Sequence, residues 1–244
     1  MDNQTSDTEI IDPRWRNMYK AGGIAAFAIA ALLVGEIFVY GALPQVDTIP
    51  ATFVMFNDNW LVGLLNFDLL GMIAYILFIP MTLAIYLLVR RTSEAVSLIG
   101  MVLFFVGIAA FFATNTAFSM LSLSSQYAAA QSAAEKAMLL AAGRVMETLF
   151  DINAFQVSYV IVSASWVMIG AAMLRGVVFG KVCSYAGILA GAAGIVAITL
   201  EHSTVIPGYL TIAIAFYFAA IVFLMMWVFL TGRRLYRLGS ERDE

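Results

Sequence analysis

A chain of 244 residues that is 62% hydrophobic and only 12% charged, with a mean hydropathy of +0.91, carries more apolar surface than a soluble core of that size can hide. Lipid is its expected solvent, and the expected fold class is all-α, a polytopic transmembrane bundle of six helices. The net charge of −3 argues against nucleic acid as a partner, because phosphate binding needs a concentrated Lys/Arg surface.

Residues 1–20 form a polar segment, expected to be cytoplasmic. Met1 to Asn17 is acidic, which does not suit the start of a cleaved signal peptide, so the first apolar segment is expected to be retained as an anchor. In hydrocarbon every backbone group must be bonded internally, so uncharged apolar runs of about 18 or more residues mark spanning helices. Six segments qualify within a transmembrane domain over 21–232, at about 21–43, 61–89, 96–121, 152–174, 182–201 and 208–232. Pro80 removes a backbone donor from the second and predicts a kink there. Between the third and fourth, the Ala-rich stretch 128–150 predicts an additional helix on the extracytoplasmic surface. Pro207 opens the sixth, where a missing donor is harmless. Residues 233–244 form a tail, basic and then acidic.

Orientation follows from the cations. Arg14, Arg16, Lys20, Arg90, Arg91, Arg175, Lys181, Arg233, Arg234, Arg237 and Arg242 fall on one side of a six-span chain, and only Lys136 and Arg144 on the other. The positive-inside rule then makes both termini cytoplasmic. Three spans on either side of the long connection have opposite orientations, as in inverted-repeat transporters, but no repeated residue pattern accompanies them. Gly187, Gly191 and Gly194 give the fifth helix a flat face. Packing within the chain is the first expectation for it, and a helix–helix oligomer is the alternative. The lone Cys183 reads as a small hydrophobe.

Ionisable groups in hydrocarbon are costly, so their placement is informative. Glu36 lies in the outer part of span one, Asn66 and Asp68 in that of span two, and Asn115 in that of span three. Glu147, Asp151 and Gln156 lie where span four begins, and Glu201 and His202 where span five ends. Glu147 and Asp151 share a helix face by their spacing of four. The inner halves are nearly all apolar, with hydroxyls such as Thr82 and Ser165 as exceptions. The expected picture is a cup open to the outside that holds a small or amphipathic ligand, a cation near Glu36 and Asp68 being one form of it. The competing expectation is that the amides merely bond between helices.

A single His makes a tetrahedral zinc site unlike this chain, and Glu201 and His202 are adjacent rather than three apart as a di-iron bundle needs. No nucleophile elbow accompanies His202. No metal is expected and no cofactor can be assigned.

The stretch Phe112-Ala-Thr-Asn-Thr-Ala-Phe-Ser-Met-Leu-Ser-Leu-Ser-Ser-Gln-Tyr127, with Leu140-Ala-Ala-Gly143, Ala154-Phe-Gln-Val-Ser-Tyr159, Ala172-Met-Leu-Arg175 and Tyr185-Ala-Gly-Ile-Leu-Ala-Gly191, resembles uncharacterised prokaryotic six-span membrane proteins carrying domain of unknown function 4386. The likeness covers roughly spans two to five. It implies a multi-pass helical architecture in a prokaryotic cytoplasmic membrane, and no activity, cofactor or site. Where such proteins tend to carry a Gly just before the fourth span, this chain has Asp151-Ile-Asn153, which separates Asp151 from any role shared with them.

Three functions fit these residues. The leading one is non-enzymatic binding, sensing or transport through an outward-facing polar pocket. The others are an intramembrane enzyme acting on lipid or peptide with carboxylates as acid and base, and an accessory or scaffold subunit of a membrane complex.

Overall fold

A computed structural model describes residues 11–43, 46–201 and 208–240. After a single turn at Pro13–Trp15 come α1 (Arg16–Ala42), α2 (Ile49–Asp58), α3 (Trp60–Asn66), α4 (Leu69–Val89), α5 (Glu94–Thr114), α6 (Ala117–Ala129) and α7 (Ala133–Thr148). A π-helical segment, Leu149–Val157, leads into α8 (Ser158–Arg175), followed by α9 (Lys181–Glu201) and α10 (Tyr209–Ser240). Among the described residues no strand occurs, and six helical stretches are long and apolar enough to cross a membrane: Pro13–Ala42, Leu69–Val89, Glu94–Ala129, Ala133–Arg175, Lys181–Glu201 and Tyr209–Ser240.

The residues group into two compact units. The first comprises the described parts of Met1–Leu33, Ala74–Ile108 and Tyr159–Glu244, and the second Val34–Ile73 and Ala109–Ser158.

The first unit is built by close packing. Lipid tails are as apolar as leucine, so helices here gain little from hiding hydrophobic surface and must gain from tight contact. Phe104, Phe78, Trp166 and Trp227 form a run of rings whose neighbours lie 5.8–6.2 Å apart. Small residues let the backbones approach. A Cβ at Gly187 would lie 2.8 Å from Trp227 Nε1, one at Gly191 2.3 Å from the Ser163 carbonyl oxygen, and one at Gly194 2.8 Å from Ser163 Oγ. Packing within the chain, the first expectation for this face, is what these three contacts show. Cys183 is buried beside Thr231, Sγ to Oγ1 3.3 Å. Pro80 lies inside α4, which continues through it.

The second unit is built by caps and side-chain bonds. Between the first two expected spans lies α2, started by Thr48 as cap and Pro50 in the first turn. Asn59 ends α2 and caps α3, accepting from Leu61 N and Val62 N. Here α2 packs on α3, α6 and α7, Ser124 Oγ donates to the Phe53 carbonyl at 2.6 Å, and Gly143 admits Ile49 and Phe53.

Two expected spans are interrupted in this unit. The segment 61–89 breaks at Phe67–Asp68 into α3 and α4, and 96–121 breaks at Asn115–Thr116 into α5 and α6. The helix expected at 128–150 is α7, begun by Ser132, which accepts from Glu135 N at 3.1 Å. The π segment joins it to α8 without a gap.

Candidate functional site

Charge divides the two units. The second carries Glu36, Asp47, Asp58, Asp68, Glu135, Glu147 and Asp151 against Lys136 and Arg144. Among its described residues the first carries ten Lys and Arg against Asp12, Glu94 and Glu201. The anionic unit is also where the helices are irregular.

Asp68 stands at the break between α3 and α4 with φ 63°, the only positive φ outside glycine among the described residues. Its Oδ1 accepts from the Gly71 amide at 3.2 Å, capping α4, and from Tyr40 Oη at 2.8 Å. A carboxylate is favoured there by the unpaired amides and the dipole of the helix. Gly71 is required by the same arrangement, since a Cβ on it would lie 2.3 Å from both carboxylate oxygens. Glu36 is one turn before Tyr40 on α1 and within electrostatic reach of Asp68. These residues form one cluster, and its hydrogen bonds are those of a helix start.

Asn115 has a similar task. Its Oδ1 accepts from Ala117 N at 3.0 Å, starting α6, while its Nδ2 donates to the Phe67 carbonyl at 3.4 Å. The two breaks are therefore bonded to each other. Thr116 next to it donates to the Met146 carbonyl at 2.8 Å, where α7 gives way to π geometry. The Phe67 and Phe150 rings lie 4.8 Å apart at the same junction. A broken helix frees carbonyls and amides, and the bonds from Asn115 and Asp68 answer such groups.

Beside this junction is a small cavity of about 230 Å³ lined by Thr52, Asn66, Phe67, Glu147, Phe150 and Asp151, among others. Asn66 Nδ2 donates to the Val62 carbonyl at 3.1 Å and approaches Met55 Sδ at 3.3 Å, while its oxygen accepts no hydrogen bond among the described residues. Arg144 and Asp151 are both within electrostatic reach of Glu147.

Of the nine residues singled out by sequence, Asn66, Glu147 and Asp151 share this cavity, while Glu36 and Asp68 form the separate cluster with Tyr40. Asn115 braces the backbone between them. Gln156 is half-buried in the π segment and does not line the cavity. Glu201 ends α9 in the first unit, where it accepts from Tyr217 Oη. His202 lies outside the described residues. Among the described residues no group of three or more His, Cys, Asp or Glu side chains is placed to hold a metal ion.

Sequence reading missed Tyr40, Thr52 and Phe67. Tyr40 was legible only as an interface aromatic, and the Asp68-Leu-Leu-Gly71 spacing was the available sign of a capping carboxylate. Comparison with family models, curated proteins and solved structures found no match to this chain.

Proposed function

We propose that this protein is a non-enzymatic binding protein, sensor or carrier of a prokaryotic cytoplasmic membrane, with both termini cytoplasmic and a cation-accepting site in residues 34–73 and 109–158 that faces outward. The observation that carries the reading is the cavity in which Asn66, Glu147 and Asp151 meet beside two broken helices and a π segment. Irregular backbone at membrane depth is tolerated where it is buried in protein or lines a cavity, and it is a recurrent way to build ligand sites in carriers. Seven carboxylates against two cations in that unit set the sign of the ligand. The Lys/Arg asymmetry supports the orientation, and the resemblance of spans two to five to prokaryotic six-span proteins supports the membrane without adding an activity.

The test is thermal unfolding of the purified full chain in amphipol at pH 7, titrated with dodecyltrimethylammonium below its micelle concentration. A ligand held by the native state stabilises by about 2.7 kcal/mol at a hundred times its Kd. Saturable stabilisation is expected for the wild type and its loss for Glu147→Gln/Asp151→Asn. Equal stabilisation of both proteins, or none of the wild type by organic or inorganic cations, would sink the reading.

A further inference from the structure

The cavity at Glu147 has a larger neighbour. A second space of about 670 Å³ is lined by Ile49, Pro50, Leu140, Arg144, Val145 and again Glu147, with Asp47 at its edge. Its size is that of a small organic molecule rather than an ion. Glu147 faces both spaces, and Val46 of the smaller one is followed in the chain by Asp47 of the larger.

The lining is ordered along one helix. Leu140, Arg144, Glu147 and Asp151 follow at intervals of four, three and four, so they form a single stripe on α7 and the start of the π segment. Read along the axis, that stripe is apolar, cationic, anionic, anionic. Arg144 and Glu147 are separated by about 4.5 Å of helix rise. That is the spacing at which a phosphate and an ammonium joined by a two-carbon bridge can meet both.

Arg144 is exposed, and among the described residues it makes no ion pair. Its guanidinium is a fork suited to phosphate or carboxylate oxygens. An ammonium ligand alone would leave this cation in the same space repelling it. A ligand that brings its own anion turns that repulsion into a contact.

We infer that the paired cavities bind a zwitterionic amphiphile, with its ammonium among Glu147, Asp151 and Asn66, its anionic group on Arg144, and its apolar body over Leu140, Val145, Ile49 and Pro50. The inference rests on the cation-accepting reading above and narrows it to molecules built in the order chain, anion, ammonium. A lysophosphatidylethanolamine has that order.

The experiment measures binding to the full chain in amphipol with four probes: lauroyl lysophosphatidylethanolamine, dodecyltrimethylammonium, dodecyl phosphate and glycerophosphoethanolamine. Expected is saturable, tightest binding of the lysolipid. Arg144→Gln should weaken it at least tenfold while leaving dodecyltrimethylammonium bound as tightly as before or more tightly, and Arg144→Lys should recover part of the loss. Glu147→Gln/Asp151→Asn should weaken both of these probes.

Lysolipid affinity unchanged by Arg144→Gln would overturn the zwitterion and leave the cation site standing. Equal binding of glycerophosphoethanolamine would overturn the apolar part and point to a soluble headgroup compound instead. Dodecyltrimethylammonium binding that ignores the double carboxylate variant would remove the underlying reading as well. Circular dichroism and monodispersity of each variant separate these outcomes from misfolding.

Discussion

The two units hold their helices together in different ways. In the first, regular helices satisfy their own backbone, and cohesion comes from surface contact: the run of rings from Phe104 to Trp227 and the glycine face of α9. In the second, helices stop and restart, side chains such as Asp68 and Asn115 take over the duty of the missing backbone bonds, and Thr116 and Ser124 tie one helix to another. A region that depends on fit is sensitive to added volume. A region that depends on caps is sensitive to lost oxygens and amides.

The largest effect should come from volume in the first unit. Gly191→Val puts a branched side chain where even a Cβ would lie 2.3 Å from a backbone carbonyl, and a destabilisation of about 3 kcal/mol or more is expected, read as lost monodisperse protein and a lowered unfolding midpoint. Gly35→Ala, on α1 in the second unit with nothing within 4 Å, should be neutral or stabilise by up to about 1 kcal/mol. Equal responses would erase the distinction between the units.

A smaller effect should follow from the cap. Asp68→Ala loses the bonds to Tyr40 and Gly71 and sets a residue poorly suited to φ 63° at the break, at a cost of about 2 kcal/mol. Asp68→Asn keeps an oxygen acceptor and tolerates that backbone, so it should stay within about 1 kcal/mol of wild type. If Asn costs as much as Ala in a denaturation series, the carboxylate charge does more than start a helix.

The smallest effect belongs to Asp12 in the first unit. Its side chain accepts hydrogen bonds from Arg14, with an ion pair at 2.8 Å, and this holds its pKa at about 2 against an ordinary 3.8. A depressed value means a contribution that is present above pH 3.8 and lost as pH falls through about 2. Because its partner Arg14 is 83% exposed and an ion pair open to water is worth little, Asp12→Asn should leave stability near neutral pH unchanged. Carboxyl NMR titration of that one residue checks the value.

Much of the fold was legible because hydropathy survives averaging. The apolar segments at 152–174 and 182–201 fall inside Ala133–Arg175 and Lys181–Glu201. The same averaging hid the breaks, since Asn66-Phe-Asp68 and Thr114-Asn-Thr116 are short interruptions in long apolar runs. Their polar residues stood out and were read as ligand candidates, whereas Asn115 spends its hydrogen bonds on backbone and Asp68 divides its own between the Gly71 amide and Tyr40. The start of α2 was written in Thr48-Ile-Pro50, a cap followed by an early proline, but a connection of that length does not demand a helix. The sharing of one cavity by Asn66, Glu147 and Asp151 needed the tertiary arrangement, because 81 positions separate Asn66 from Glu147.

The π segment also sets a rule for how this chain can change over time. The wider winding across Leu149–Val157 sets the angular phase of Asp151 relative to Glu147 on α7. Deleting one of the three residues between Glu147 and Asp151 would turn Asp151 by about 100° relative to Leu140, Arg144 and Glu147 and split the stripe. Insertions and deletions in those nine residues therefore act as a dial on the proposed stripe as a whole, while a substitution changes one of its contacts at a time.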